Sequence, residues 1–342
     1  MAIHRSSCIR AAGLLHALEH DSAPPVRRRL APRAGDLVLV RVRGSDGAYL
    51  EMETPDGRDV PLREGDILTV VFGNRDSSRS VSGHIPDFSG PGDELGLLAV
   101  GGVVGIPDHV PRRLGPDVLQ LEVVGFPSLA NGVPVNIRAF QHFTPVQAEG
   151  PARGVVWVAG TSAECGKTTL ICELLKHLHQ QSSDLRLAAI KVCGTGRLKD
   201  RRRYAEAGAA LAADFVDTGF ATTYQLPEGA YETLLAELCG AATRVSDVVL
   251  AEIGGDLLSA EAGIALKVAA ANGDNVIGCV NDPVGALGVI EILAAHGCRP
   301  LALAALNLNA STASRRIGSS VLDIHDPVSV SSLAGTILSS SR

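Results

Sequence analysis

The pattern of apolar residues changes near residue 150, and this change restricts the folds open to the 342-residue chain. Before it, short segments that alternate between apolar and polar residues are separated by turn sequences such as Asn131-Gly132. Strands are predicted at residues 36–43, 48–53, 66–74, 95–104, 118–124 and 133–140. Short strands at this spacing favour a small antiparallel β-barrel or sandwich. We place this domain at residues 34–146, after a helix (8–19) and a loop (21–33) within residues 1–33.

From residue 154 onward, continuous apolar segments alternate with helical ones. Strands are predicted at residues 155–159, 187–192, 248–253, 276–280, 301–306 and 321–324. Helices are predicted at residues 167–179, 201–213, 228–244, 260–271, 284–295 and 328–338. The alternation predicts a doubly wound parallel α/β sheet at residues 154–342, preceded by a linker at 147–153. Ligands of such sheets bind beyond the carboxyl ends of the strands, so functional residues are expected there.

The composition excludes several classes of protein. With 46% hydrophobic and 20% charged residues, the chain can bury a core and is not disordered throughout. A net charge of −6 disfavours nucleic acid as a partner. The seven cysteines form no C-x-x-C pair, which fits reduced thiols. Since no apolar run is long enough to span a membrane, we expect a cytoplasmic protein.

The most informative segment, residues 155–170, is a predicted strand, a glycine-bounded loop and the start of a helix. Glycines allow the backbone to wrap a polyphosphate, and the amides of the helix N-terminus favour its charge. Lys167 would add a full positive charge, and the Thr168 hydroxyl would reach Mg²⁺. Five residues separate Gly160 from Gly166, one more than in the ordinary phosphate-loop pattern. The segment therefore predicts ATP and Mg²⁺ as cofactors.

The predicted nucleotide-binding residues are those of the loop together with one residue that follows a later strand. They are Gly160, Thr161, Ser162, Ala163, Glu164, Cys165, Gly166, Lys167, Thr168, Thr169 and Asn281. Asn281 is included because late strand ends often contact the nucleotide base in such folds. The segment around it lacks the Asn-Lys-x-Asp signature of guanine-specific proteins, which favours ATP over GTP.

Residues 160–168 resemble the long phosphate loop of the dethiobiotin synthetase group of P-loop NTPases. This group includes the cobyrinic acid amide synthetases and a set of two-domain P-loop proteins, and the resemblance covers roughly residues 154–325. It implies an ATP- and Mg²⁺-dependent enzyme that phosphorylates a small metabolite or activates it for ligation, as a kinase, ligase or other transferase. It also implies a homodimer, because related synthetases pair across the substrate site.

Three further positions support the resemblance. Lys191 matches a lysine that faces the reacting phosphate, and Asp200 stands where the group has a magnesium-binding aspartate. Glu252, in a segment similar to Glu-Gly-Ala-Gly-Gly, would bind Mg²⁺ directly or through water. The resemblance thus implies Thr168, Asp200 and Glu252 as metal ligands, and Lys167, Lys191 and Glu252 as catalytic residues. A lysine that only ends a strand and an aspartate that only caps a helix are the alternatives for Lys191 and Asp200.

Substrate contacts are predicted for five residues beyond the ends of the strands: Thr195, Gly196, Asp217, Gly254 and Gly255. Asp217 would orient a substrate amine or hydroxyl, or form an ordinary Asx-turn. The basic cluster that consists of Arg197, Lys199, Arg201, Arg202 and Arg203 would hold an anionic substrate or phosphate, or form a solvated helix face.

The sequence also departs from the group it resembles. Ser162 stands where the synthetase has aspartate, that enzyme lacks the first 150 residues, and the glutaminase domain of the amide synthetases is missing here. One alternative is therefore a nucleotide-hydrolysing switch or cofactor-insertion factor, like the guanine-dinucleotide accessory proteins of molybdenum cofactor assembly. A third hypothesis, an RNA-end kinase, is disfavoured by the charge balance.

Overall fold

The computed structural model describes residues 3–130, 132–140 and 154–340. The chain forms two compact units. The first contains Met1–Thr144, Thr195–Lys199 and Phe215–Gln225, and the second contains Pro145–Gly194, Asp200–Asp214 and Leu226–Arg342. Two short segments from the second half of the sequence therefore belong to the first unit. The predicted linker, 147–153, lies outside the described residues, and the domain boundaries stay predictions.

The first unit contains ten strands and one α-helix within the described residues. The strands are β1 (Ile3–Arg5), β2 (Ser22–Val26), β3 (Leu37–Arg43), β4 (Glu51–Glu53), β5 (Asp59–Pro61), β6 (Ile67–Phe72), β7 (Ser82–His84), β8 (Glu94–Ala99), β9 (Val103–His109) and β10 (Gln120–Leu129). The helix is α1 (Ala12–His20), and short 3₁₀ turns lie at Ser7–Ile9, Arg112–Leu114 and Ile137–Phe140.

Five of these strands pair in a closed ring. β3 pairs antiparallel with β6 and β10, β10 with β8, and β8 with β9, while β9 returns to β6 in parallel. Alternate residues of the strands, such as Val38, Val40 and Val42, are buried in one core with Phe72 and Phe126. This alternation is what a strand with one face turned to the core requires. The prediction of a separate antiparallel sheet is confirmed, although β1 and β9 each pair with β6 in parallel.

Three predictions in this unit were wrong. The predicted strand 95–104 is two strands, because the chain reverses through Gly102, whose φ of +82° favours glycine. The predicted strand 133–140 makes only isolated bridges at Pro134 and Asn136 before a 3₁₀ turn. Pro134 has no N–H to donate to a ladder. The predicted loop 21–33 was wrong in part, because β2 lies within it. Asn131 of the predicted Asn131-Gly132 turn lies outside the described residues.

The second unit is built on one seven-stranded sheet in which every pairing is parallel. Its strands are β11 (Val155–Gly160), β12 (Leu187–Lys191), β13 (Leu211–Asp214), β14 (Val248–Glu252), β15 (Asn275–Val280), β16 (Pro300–Ala305) and β17 (Val321–Asp323). Its helices are α2 (Lys167–Gln181), α3 (Leu198–Glu206), α4 (Glu228–Val245), α5 (Ala260–Asn272), α6 (Pro283–Ala295), α7 (Ala310–Ile317) and α8 (Pro327–Ser340). The predicted parallel α/β sheet is confirmed.

The strand order places the loop after β11 near the centre of the sheet. The order is β13-β12-β14-β11-β15-β16-β17, so β11 lies between β14 and β15. In register, Glu252 at the end of β14 stands beside Val158 of β11 on one side and Lys191 of β12 on the other. The carboxyl ends of three neighbouring strands therefore bring these residues to one edge.

The structure corrects one helix and adds another. The predicted helix 201–213 was wrong: α3 ends at Glu206, the chain turns at Gly208 with a φ of +102°, and β13 follows. The run of alanines after the turn has a high helix propensity, but pairing with β12 prevails over it. Helix α7 was missed because its sequence is rich in serine and arginine. Within the described residues, no helix is both long and apolar enough to cross a membrane.

Asp274, immediately before β15, ties this strand to β11. Its Oδ1 accepts a hydrogen bond from the Val155 amide at 3.2 Å, and its Oδ2 accepts one from Trp157 Nε1 at 3.0 Å. Trp157 is the single tryptophan of the chain and is fully buried. One carboxylate therefore satisfies a buried indole and the first amide of the central strand.

We expect the substitution Asp274→Ala to lower the free energy of unfolding by about 2 kcal/mol, because it leaves both donors without their acceptor. Denaturant unfolding followed by Trp157 fluorescence measures this loss. The exposed Asp184, which bonds only its neighbour Ser183 among the described residues, provides the control Asp184→Ala. Equal stability of the two variants would contradict the assignment.

Candidate functional site

The loop after β11 is tightly curled. A β-carbon at Gly160 would lie 2.3 Å from the Cys165 sulfur, so only glycine fits there. Glu164 and Gly166 have φ values of +68° and +101°, in the left-handed region that favours glycine. Gly166 is the N-cap of α2 and supplies no side chain to accept from the first helical amides. These amides therefore remain donors for an anionic group.

Lys167 is the first residue of α2 and is 5% exposed. Its ammonium donates to the carbonyl oxygens of Ser162 at 2.8 Å and Gly255 at 2.7 Å, and lies 3.7 Å from the Cys165 sulfur. No ion pair of the described residues includes Lys167. The loop thus holds a buried positive charge whose polar partners are two carbonyls and the Cys165 sulfur.

A second cluster surrounds Glu252, whose side chain is buried at the end of β14. Its Oε2 accepts hydrogen bonds from Thr168 Oγ1 at 2.8 Å and Tyr204 Oη at 2.5 Å. Its Oε1 lies 3.7 Å from Lys191 Nζ, which also donates to Asp200 Oδ2. Thr168 Oγ1 lies 3.4 Å from Asp200 Oδ1. The three predicted metal ligands are therefore adjacent, and one ammonium serves both carboxylates.

The neighbouring charges fix the protonation states in this cluster. Burial opposes the charged form of Asp200, but the Lys191 ammonium, Arg203 and the Thr168 hydroxyl together outweigh it and lower the pKa of this carboxyl. Burial likewise opposes the charge on Lys191, but Asp200 and Glu252 raise its pKa above the ordinary value. Burial, followed by the Glu252 charge, raises the pKa of Tyr204. At neutral pH Asp200 is an anion, Lys191 a cation and Tyr204 a neutral donor.

The donor set fits a hard divalent cation. Mg²⁺ prefers oxygen ligands and is usually bound by one or two carboxylates completed by phosphate oxygens and water. Thr168, Asp200 and Glu252 supply a hydroxyl and two carboxylates within hydrogen-bonding reach of one another. The described residues contain no group of three or more histidine, cysteine, aspartate or glutamate side chains that would hold a metal alone. Thr168, Asp200 and Glu252 thus supply oxygen groups of the kind that such a cation prefers.

The remaining loop residues are linked to the end of β15. Asn281 Nδ2 donates to Ser162 Oγ at 2.9 Å, and the Thr161 amide donates to the Cys279 carbonyl at 3.0 Å. Within the described part of the chain, the Thr161 hydroxyl oxygen is buried without a hydrogen-bond partner. The structure thus brings Asn281 to the loop, while its contact with a base stays a prediction.

The five predicted substrate residues lie in different surroundings. A β-carbon at Gly254 would lie 2.1 Å from the Cys193 carbonyl oxygen, whereas the space at Gly255 is open. Thr195, Gly196 and Asp217 belong to the first unit. There the Gly196 amide donates to Ala221, Thr195 bridges Thr222, and Asp217 forms a buried ion pair with Arg10 at 3.1 Å. The structure therefore groups Gly254 and Gly255, but not these three residues, in the unit that contains the loop.

One site residue, Tyr204, was not identified from the sequence, and Arg203 was named only as a member of the basic cluster. Tyr204 donates to Glu252, and Arg203 Nη2 donates to Thr169 Oγ1 at 3.2 Å. Both belong to α3, three and four residues after Asp200, and residues at this spacing share one helix face. This spacing could have predicted that Arg203 and Tyr204 lie beside Asp200. The arginines of the segment were instead interpreted as one charged run.

No protein-family model and no curated protein matches the chain. Among solved structures, the crystal structure of a ParA family ATPase from Chlorobium tepidum TLS is similar at 11% sequence identity and a TM-score of 0.35. The match covers 56% of this chain and 98% of that chain. A likeness at this level carries no argument about function.

Cys165, inside the loop, differs from the other buried thiols. A hydrogen bond from the Cys279 thiol, aided by the Lys167 charge and opposed by burial, lowers the pKa of Cys165 to about 6. Burial raises the pKa of Cys172 to about 11 and that of Cys193 to about 12. Since the thiolate is the reactive form, these three groups should respond differently to pH.

We expect alkylation of Cys165 by iodoacetamide to rise with pH through about 6 and then to level off. The rates at Cys172 and Cys193 should still be rising at pH 9, because their thiolate fractions keep growing. Mass spectrometry of peptides labelled between pH 5 and 9 measures all three rates. Substitution Cys279→Ala should move the Cys165 midpoint to higher pH, and an unchanged midpoint would contradict the role of Cys279.

Proposed function

We propose that the chain is a P-loop NTPase that binds ATP together with Mg²⁺ at the loop 160–168. The observation that carries this proposal is the buried Lys167 ammonium, held by two main-chain carbonyls at the start of α2. Burying a charge is costly: the Cys165 sulfur lies 3.7 Å from this ammonium, and an anionic ligand would offset the cost further. The uncapped amides of α2 favour the same kind of ligand.

Within this proposal, Thr168, Asp200 and Glu252 would hold Mg²⁺. The ion would supply positive charge to the phosphate oxygens when bound. Lys191 remains protonated between the two carboxylates, so it would act as a fixed positive charge and not as a base. Lys167 and Lys191 would then stabilise the negative charge that develops on the transferred phosphoryl group.

We further propose that the reaction is phosphorylation of a small metabolite or its activation for ligation, as the resemblance to the dethiobiotin synthetase group implies. A carboxylate, carbamate or hydroxyl oxygen of the metabolite would attack the γ-phosphorus, and the bond to the β–γ bridging oxygen would break to release ADP. A hydroxyl would pass its proton to solvent. The open space at Gly255, whose carbonyl accepts from Lys167, supports placing that metabolite nearby.

We expect Lys167→Ala to weaken binding of ATP in magnesium buffer at least about tenfold, because a charge-assisted hydrogen bond contributes about 1.5–3 kcal/mol. Titration calorimetry with ATP and with GTP measures the affinity and the base preference. The matched control is Lys176→Ala on the exposed side of the same helix, where the ammonium pairs only with Glu173 among the described residues. Failure of the unsubstituted chain to bind either nucleotide would overturn the proposal.

The reaction itself can be tested by incubating the chain with ATP, Mg²⁺ and a metabolite extract. Mass spectrometry should detect a new phosphorylated or condensed species that Lys167→Ala does not form. ATP hydrolysis without any modified metabolite would argue for the alternative of a nucleotide-driven switch. In that case the transferase proposal would fail, whereas the nucleotide-binding proposal would stand.

A further inference from the structure

Tyr204 is a buried side chain of α3 whose hydroxyl contacts a proposed metal ligand. The residue is fully buried and belongs to the same hydrophobic core as Leu170 and Leu250. Its hydroxyl donates to Glu252 Oε2 at 2.5 Å, across 48 residues of chain. A buried phenol needs a partner for its hydroxyl, and here that partner is a buried carboxylate. The packing of the ring thus places one hydroxyl donor at the candidate site.

The position of Tyr204 along α3 explains why it meets the other groups of the site. It stands four residues after Asp200, so the two side chains share one face of the helix. Asp200 bonds Lys191, and its Oδ1 lies 3.4 Å from Thr168 Oγ1. These residues and Glu252 all belong to the second unit. One face of α3 therefore contributes both a carboxylate and a hydroxyl donor to the cluster.

The partners that hold the Glu252 carboxylate differ in their proposed roles. Its Oε2 accepts from Thr168 at 2.8 Å as well as from Tyr204, and its Oε1 faces Lys191 at 3.7 Å. Thr168 is a proposed metal ligand, so a cation would compete for its hydroxyl oxygen. Lys191 is shared with Asp200. Tyr204 is neither a proposed ligand nor a charge, and its bond to Glu252 can persist whether or not the cation is bound.

We infer that Tyr204 is a positioning residue for the proposed magnesium site, and that its hydroxyl fixes the orientation of the Glu252 carboxylate. This inference rests on the proposed function. Mg²⁺ demands near-ideal octahedral geometry, so a carboxylate ligand is effective only in a narrow range of orientations. Removing a group that orients a metal ligand typically costs about 10–100-fold in metal affinity or activity. Loss of the Tyr204 hydroxyl should therefore weaken metal binding more than binding of the nucleotide by the loop.

The test compares Tyr204→Phe with Tyr231→Phe, which removes the same atom from the fully buried tyrosine of α4. Tyr204→Phe keeps the ring in the core and removes only the hydroxyl. We expect the Mg²⁺ concentration that half-activates ATP hydrolysis to rise about tenfold in Tyr204→Phe, with a smaller change in the rate at saturating Mg²⁺. ATP affinity in EDTA should stay within about twofold of the unsubstituted chain. Tyr231→Phe should match that chain in all three measurements.

Electron paramagnetic resonance of Mn²⁺ bound together with ATP provides a second readout that needs no turnover. The Mn²⁺ affinity should fall about tenfold in Tyr204→Phe. In a chain that already carries Glu252→Gln, the same substitution should lower the affinity further by much less, because residues that act through one interaction are not additive. Fully additive losses would show that Tyr204 does not act through Glu252 and would overturn the inference. An unchanged Mn²⁺ affinity in Tyr204→Phe would overturn it as well.

Should Tyr204→Phe fail to fold, replacement of Tyr204 by 3-fluorotyrosine carries the comparison, because the fluorine makes the phenol a stronger donor and changes its bulk little. The Mn²⁺ affinity should then change with the fluorine at position 204 and not with the same replacement of Tyr231, and equal affinities would overturn the inference. Failure of the unsubstituted chain to bind ATP would instead overturn the proposed function. ATP binding with a metal dependence that the loss of the Tyr204 hydroxyl does not alter would overturn the inference alone.

Discussion

The carboxylate of Glu252 is the interaction on which the candidate site depends. One oxygen accepts from Thr168 of α2 and Tyr204 of α3, and the other faces Lys191 of β12. Four elements therefore meet at a single buried charge at the end of β14. Such a charge is tolerated only when its hydrogen bonds are complete. The positions of α2, α3 and β12 relative to β14 therefore depend on one another.

The charges of the two clusters are arranged asymmetrically. Around Lys167 the partners of the ammonium are two carbonyls and the Cys165 sulfur, whereas around Lys191 one ammonium is shared by Asp200 and Glu252. Both carboxylates lie beside Lys191, whereas the uncapped first amides of α2 lie beside Lys167. A nucleotide with a bound cation would complement both clusters, because its phosphates would lie beside Lys167 and its cation beside the two carboxylates.

Much of the second unit could be predicted from the sequence, because buried parallel strands are continuous apolar runs. Lys191 and Glu252 end two such runs, and parallel pairing alone brings strand ends to the same edge. Strand β13 could not be predicted, because the alanine run before Asp214 has a high helix propensity. Only pairing with β12, which the sequence does not show, makes this segment a strand. Tyr204 was missed for a related reason: its partner Glu252 is distant in sequence, and Tyr204 stands in no motif.

The assignment of Phe215–Gln225 to the first unit has a consequence for dissecting the chain. Arg10 and Asp217 form a buried ion pair across 207 residues. A fragment that stops before residue 150 would keep Arg10 but lose Asp217 and the rest of Phe215–Gln225. The N-terminal half is therefore not a free-standing module, and a fragment meant to reproduce it must supply the missing stretch by fusion or co-expression.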